Sequence, residues 1–114
     1  VGKFSRDKGA RGERELRDIL NKQGYNVRRG RAYGGEPDLV GLDGIHIECK
    51  SVEKLNVRKA LQQAIDDSES MKDGIPAVFW KKKHDPQELG VCEGWTVTLQ
   101  LADFLEILEA WNER

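Results

Sequence analysis

Only two of the 114 residues are cysteine, Cys49 and Cys92. Two are too few for a disulfide framework, and neither stands in a zinc-ligand spacing, so both thiols are expected to be reduced. No apolar run approaches the roughly 18 residues that cross a bilayer. The opening Val-Gly-Lys-Phe-Ser-Arg-Asp-Lys has no apolar core of the signal-peptide kind. The expectation is a soluble, intracellular protein without a membrane partner. Internal repeats and low-complexity tracts are also lacking. What is present, 38% hydrophobic and 34% charged residues with the apolar ones in periodic blocks, excludes wholesale disorder. A mass of 12.9 kDa suits one domain over residues 1–114.

A net charge of −1 looks wrong for a binder of polyanions until it is divided along the chain. Residues 1–35 carry +6, residues 36–83 carry −1 and residues 84–114 carry −6. One basic surface can therefore meet a phosphate backbone while an acidic one faces away. The plainer account is a solvated helix followed by a solvated loop, and charge alone does not decide between them.

Leu16, Ile19 and Leu20 form one stripe of a helix predicted over Ser5 to Gln23, with Gly24 as its stop. Gly9 and Gly12 weaken its first turns, unless something packs there closely. Tyr25 to Arg28 reads as a short strand, and 29–35 as a glycine-rich basic loop. Two strands, Pro37 to Leu42 and Ile45 to Lys50, meet across Asp43-Gly44, a hairpin signal. Val57, Leu61, Ala64, Ile65 and Ser68 recur at helical spacing behind a capping Asn56. Ile75 to Trp80 is a buried strand and Trp95 to Leu99 another. Leu101, Phe104, Leu105, Leu108 and Trp111 give the stripe of a closing helix. The order αβββαββα implies an α/β fold, a mixed sheet flanked by helices, which names no function.

The chemistry is concentrated in Glu36-Pro37-Asp38 and Ile47-Glu48-Cys49-Lys50. Two residues apart on a strand, Glu48 and Lys50 share a face, while Ile45, Ile47 and Cys49 share the apolar one. If Asp38 lies beside Glu48, the two carboxylates make a hard-oxygen pocket for Mg2+ or Mn2+, with the Cys49 backbone carbonyl as a further ligand. Register decides this. A two-residue loop at Asp43-Gly44 turns Asp38 toward the apolar face, whereas a three-residue loop, Leu42-Asp43-Gly44 with a left-handed Gly44, sets Asp38 opposite Glu48. The three-residue register is the one predicted here. The competing account makes Glu48 and Lys50 the exposed face of an amphipathic strand, and Glu13 one member of a solvated helix face. His46 is expected as a half-exposed strand histidine, and Trp80, Trp95 and Trp111 as core or dimer contacts.

Pro37-Asp38, nine intervening residues, then Glu48-Cys49-Lys50 resembles the PD-(D/E)xK nuclease superfamily. With Lys8-Gly9-Ala10-Arg11-Gly12-Glu13-Arg14 ahead of it and Gln62-Gln63 behind, the pattern resembles archaeal-type Holliday junction resolvases and small phage nucleases. The resemblance implies that Asp38, Glu48 and Glu13 hold a divalent metal, that Lys50 assists at the attacking water, and that Gln63, with Gln62 as fallback, is the polar residue near the site. It implies a metal-dependent endonuclease acting on DNA, branched or Holliday junction DNA included, in a cell's cytoplasm or, if phage-encoded, in the host's. Lys8, Arg11, Arg28, Arg29, Arg31 and Tyr33 are the expected phosphate contacts, with Lys81, Lys82 and Lys83 as a second set. Symmetrical cutting of two strands needs two sites, hence a homodimer. The alternative is a catalytically idle DNA-binding or protein-interaction module on the same fold.

Overall fold

Eight elements follow one another in the computed structural model, which describes residues 3–31, 35–82 and 92–114, with side chains in the first helix from Gly9 onward. They are α1 (Lys3–Lys22), β1 (Arg28–Arg29), β2 (Leu39–Val40), β3 (Ile45–Val52), α2 (Val57–Met71), β4 (Ile75–Lys82), β5 (Thr96–Leu99) and α3 (Leu101–Asn112). The order is the αβββαββα expected from the periodicities. A short 3-10 turn, Cys92–Gly94, precedes β5. Tyr33, Lys83 and the side chain of Lys8 lie outside the described residues. No helix among the described residues is long and apolar enough to cross a membrane.

The strands form one mixed sheet in the order β1-β2-β3-β4-β5. β3 and β4 are parallel, joined by the α2 crossover, and the remaining neighbours are antiparallel. The alternation of β3 divides the molecule into two layers. Leu39, Ile47, Ala77 and Phe79 face α1 and pack with Leu16 and Val27. Val78 on the opposite face meets Ala60 and Ala64 of α2. Each Leu or Ile buried this way contributes about 1.5–3 kcal/mol, so β3, flanked on both sides, is the rigid platform.

Leu39 pairs with Ile47, and extending that ladder by one residue puts Asp38 opposite Glu48. The Ile45 N–H donates to the Leu42 carbonyl at 3.0 Å, and Gly44 has φ +82°, a left-handed conformation that costs glycine little. This is the three-residue register. Asn56 caps α2, its side chain accepting from the Lys59 N–H at 3.0 Å, as the sequence predicts.

Three expectations need correction. The strand predicted over Tyr25 to Arg28 shrinks to Arg28–Arg29, because the Asn21 side chain takes both backbone groups of Val27. Asn21 accepts from its N–H at 2.6 Å and donates to its carbonyl at 3.0 Å, so those groups are lost to the ladder. His46 is fully buried rather than half-exposed. The α3 stripe does not close the core: no residue of α3 is buried, and Leu101 and Trp111 are 71% and 63% exposed. Trp80 and Trp95 are partly buried against the two core layers.

Candidate active site

β2 begins only at Leu39, while β3 runs on to Val52, so the second half of β3 has no strand beside it on that edge. Asp38 fills the gap with its side chain. Its Oδ2 accepts from the Cys49 N–H at 2.8 Å, standing in for the missing ladder carbonyl, while its own carbonyl accepts from the Gly30 N–H at 2.9 Å. The carboxyl is thus held at both backbone and side chain beside Glu48.

α1 comes down over the same edge because Gly12 lets it. A Cβ on Gly12 would stand 2.8 Å from the Cβ of Ser51, closer than real side chains approach. Gly12, which looks like a weak point in the start of a helix, is therefore a close crossing of α1 over β3 that delivers Glu13 to the site, whereas a Cβ on Gly9 would meet open space. The resulting cleft holds about 570 Å³ and is lined by Glu13, Asp38, Glu48, Lys50 and Gln63, with Gly9 at its edge.

Within it Glu48 is buried, and Lys50 Nζ stands 3.7 Å from Glu48 Oε1. Burial, then the neighbouring charge of Glu48, pushes Asp38 up from 3.8 to about 7, against the opposing pull of the Cys49 N–H and Lys50. Two carboxyl groups held together away from water cannot both ionise cheaply without a cation. Hard-oxygen donors in this state fit Mg2+ or Mn2+. Glu13 stands further out, its Oε1 accepting from Arg29 Nε at 3.0 Å. Among the described residues the trio whose ligand atoms all lie within 4.8 Å of one another is instead His46, Glu48 and Asp67. Burial raises the Cys49 thiol well above its ordinary pKa, so it is an inert core group.

Of the two glutamines, Gln63 lines the cleft, while Gln62 donates to Asp66 at 3.0 Å. The basic residues are less free than their sequence suggests. Arg28 forks onto Glu36, which also accepts from the Arg31 N–H, and these bonds hold Glu36 below the usual carboxylate range. Lys81 reaches Glu15 at 3.1 Å, an oxygen that also accepts from Trp95 Nε1. Arg11 and Lys82 are exposed. Lys54, on the cleft wall, and Asp67 and Asp73, around His46, escape a sequence reading. The one available signal is Lys54, two residues beyond the strand that carries Glu48 and Lys50.

Residues 4–107 match the archaeal Holliday junction resolvase (Hjc) family. The chain belongs to that family. Its members are DNA endonucleases of recombination and repair, and their chemistry implies a divalent metal. A comparison with curated proteins gives no match. Among solved structures, that of the Holliday junction resolvase Hjc from Archaeoglobus fulgidus, an archaeal hyperthermophile, superposes with a TM-score of 0.54. It is 22% identical, over 81% of this chain and 72% of that one. That superposition supports the nuclease fold, and the family match carries the membership.

Proposed function

We propose that the chain is a Mg2+- or Mn2+-dependent endonuclease that hydrolyses phosphodiester bonds in branched, four-way DNA. One observation carries this reading: Asp38, just ahead of β2, and Glu48 and Lys50 of β3 meet in a single cleft with Glu13 of α1 and Gln63 of α2. Asp38 and Glu48 would hold the ion, with the Cys49 carbonyl and Glu13 as its further ligands. A divalent ion there supplies charge neutralisation at the phosphate and a bound water of lowered pKa. Lys50 presents its ammonium to the attacking water and to the charge that builds on the phosphate. Gln63 adds a neutral polar contact at the mouth. Arg11, Arg31 and Lys82 meet backbone phosphates, which sets register without reading bases and makes affinity fall with salt.

The wild-type chain is expected to cut a synthetic four-way junction with Mg2+ or Mn2+, to stop when EDTA removes the ion, and to go on binding the junction. Binding without metal-stimulated cutting on junction, plasmid and single-stranded substrates would favour an idle binding module instead.

Two symmetrical cuts require two copies of the site, and α3 offers the surface to bring them together. Phe104, Leu105 and Leu108 are 47%, 50% and 39% exposed on a helix with no buried residue, an apolar stripe that monomers seldom leave to solvent. A homodimer through α3 is expected to sediment as such. The Leu105→Glu chain should run as a folded monomer, and unchanged sedimentation would remove α3 from the interface.

A further inference from the structure

The hydrolytic reading engages one oxygen of Glu48 and leaves the other facing elsewhere. Oε1 is the oxygen near Lys50, whereas Oε2 lies 3.8 Å from Nε2 of His46. His46 is fully buried, and its Nδ1 sits 2.9 Å from both carboxylate oxygens of Asp73. That contact puts the proton of the neutral ring on Nδ1, donated to Asp73, and makes Nε2 a lone-pair acceptor. Sealed from solvent, Nε2 has no hydrogen-bond partner. Buried polar atoms are rarely left so, and an orphan of this kind calls for an occupant. Asp67, half-buried on α2, brings a third donor, and His46, Glu48 and Asp67 each offer a ligand atom within 4.8 Å of the others.

We propose that His46, Glu48 and Asp67 form a second cation site, separate from the cleft, that takes a transition-metal dication of the Zn2+ type rather than Mg2+. An imidazole nitrogen with two carboxylates is a borderline donor set that suits Zn2+ and its Co2+ analogue, while Mg2+ prefers oxygen and retains water. Three protein ligands leave a fourth position for water. Asp73 is the carboxylate that fixes the ring's orientation through its far nitrogen, an arrangement recurrent at zinc-bound histidines. The occupied site ties α2 to β3 and clamps Glu48 from the side opposite Lys50. Nothing in it depends on the hydrolytic reading beyond the shared carboxylate.

The test uses the metal-depleted full chain with Co2+ as probe. The sequence has two histidines, His46 and His84, so a His84→Gln background leaves one imidazole to follow by NMR. Co2+ should shift the His46 ring signals both in that background and with Asp38→Asn added, which disables the cleft. Equimolar Zn2+ should abolish the shift, and excess Mg2+ should not. Asp67→Asn is expected to weaken this binding event by at least about tenfold, and Asp73→Asn by roughly 10- to 100-fold. His46→Gln should remove it, and if that chain fails to fold, Asp67→Asn gives the same answer. His46 signals unmoved by Co2+, or loss of all Co2+ binding on Asp38→Asn alone, would overturn the site. Because the readout is spectroscopic, an inactive chain that still binds Co2+ at His46 counts against hydrolysis and not against the site.

Discussion

Replacing Lys50 by Ala is expected to slow cutting of a four-way junction by roughly 10²–10³-fold, the usual cost of removing one preorganised charge-stabilising donor. Affinity for the junction should stay within a few-fold. Lys50 Nζ lies 3.7 Å from Glu48 and is only partly exposed, so under the proposed function its contribution falls on the reacting phosphate rather than on the flanking backbone. Tight binding should come from the exposed cations Arg11, Arg31 and Lys82. Glu48→Ala should abolish cutting outright and also destabilise the chain, because it leaves the Lys50 ammonium and the buried His46 without their shared carboxylate. The double variant should be no slower than Glu48→Ala alone, since groups that act as one unit do not add. Single-turnover rates with saturating enzyme, measured beside filter-binding affinities in EDTA, separate the two effects. Wild-type rates for Lys50→Ala on every branched substrate would remove this residue from the chemistry.

How much of this was legible in the residues follows from which interactions are local. The alternation of Ile45, Ile47 and Cys49 marks the face that Glu48 and Lys50 share, but it leaves two registers across Asp43-Gly44, and the juxtaposition of Asp38 and Glu48 follows only when the two carboxylates are required to serve one site. Asn56 and the stripe of Val57, Leu61 and Ala64 marked α2 equally well. Contacts between distant segments were not legible. Nothing near Gly12 says that Ser51 will lie against it, and nothing near Tyr25 says that Asn21 will occupy the backbone of Val27. His46 sits on the polar side of an alternating strand, where exposure is the default, and Asp67 of α2 and Asp73 beyond it come to lie around it only in the fold. The α3 stripe is apolar and helical as its spacing implies, but periodicity cannot say whether an apolar face meets its own core or another copy's. Cations were overcounted as free for a similar reason, because Arg28 and Arg29 find carboxylates on other elements.

Replacing Asp38 by Asn is expected to stabilise the metal-free protein while eliminating cleavage, and to flatten its dependence on pH. Asp38 titrates at 3.8 when unfolded and at about 7 when folded, because burial and then the charge of Glu48 disfavour the ionised form. A raised carboxyl pKa means that folding takes up a proton. Its contribution is fully present below 3.8 and is lost as pH rises through 7. About three pH units at about 1.4 kcal/mol each put the loss near 4 kcal/mol by about pH 8. Asparagine keeps the shape and the oxygen that accepts from Cys49 N–H but never ionises, so the Asp38→Asn chain should melt higher than wild type by roughly 10 °C or more at about pH 8. At about pH 4 the two should nearly coincide. A smaller slope should survive in the variant. Burial lowers the pKa of His46, but the neighbouring carboxylates of Glu48 and Asp73 raise it by more, so it too loses stabilisation as pH rises through its folded pKa. Excess Mg2+ should raise the melting temperature of wild type at about pH 8, where a cation takes the place of the proton between Asp38 and Glu48, and leave Asp38→Asn unmoved. A flat metal-free profile for wild type, or an Asp38→Asn chain that melts lower at about pH 8, would show that these two carboxyl groups do not oppose one another. A site that becomes more stable when disabled is what a cleft kept for a cation should show.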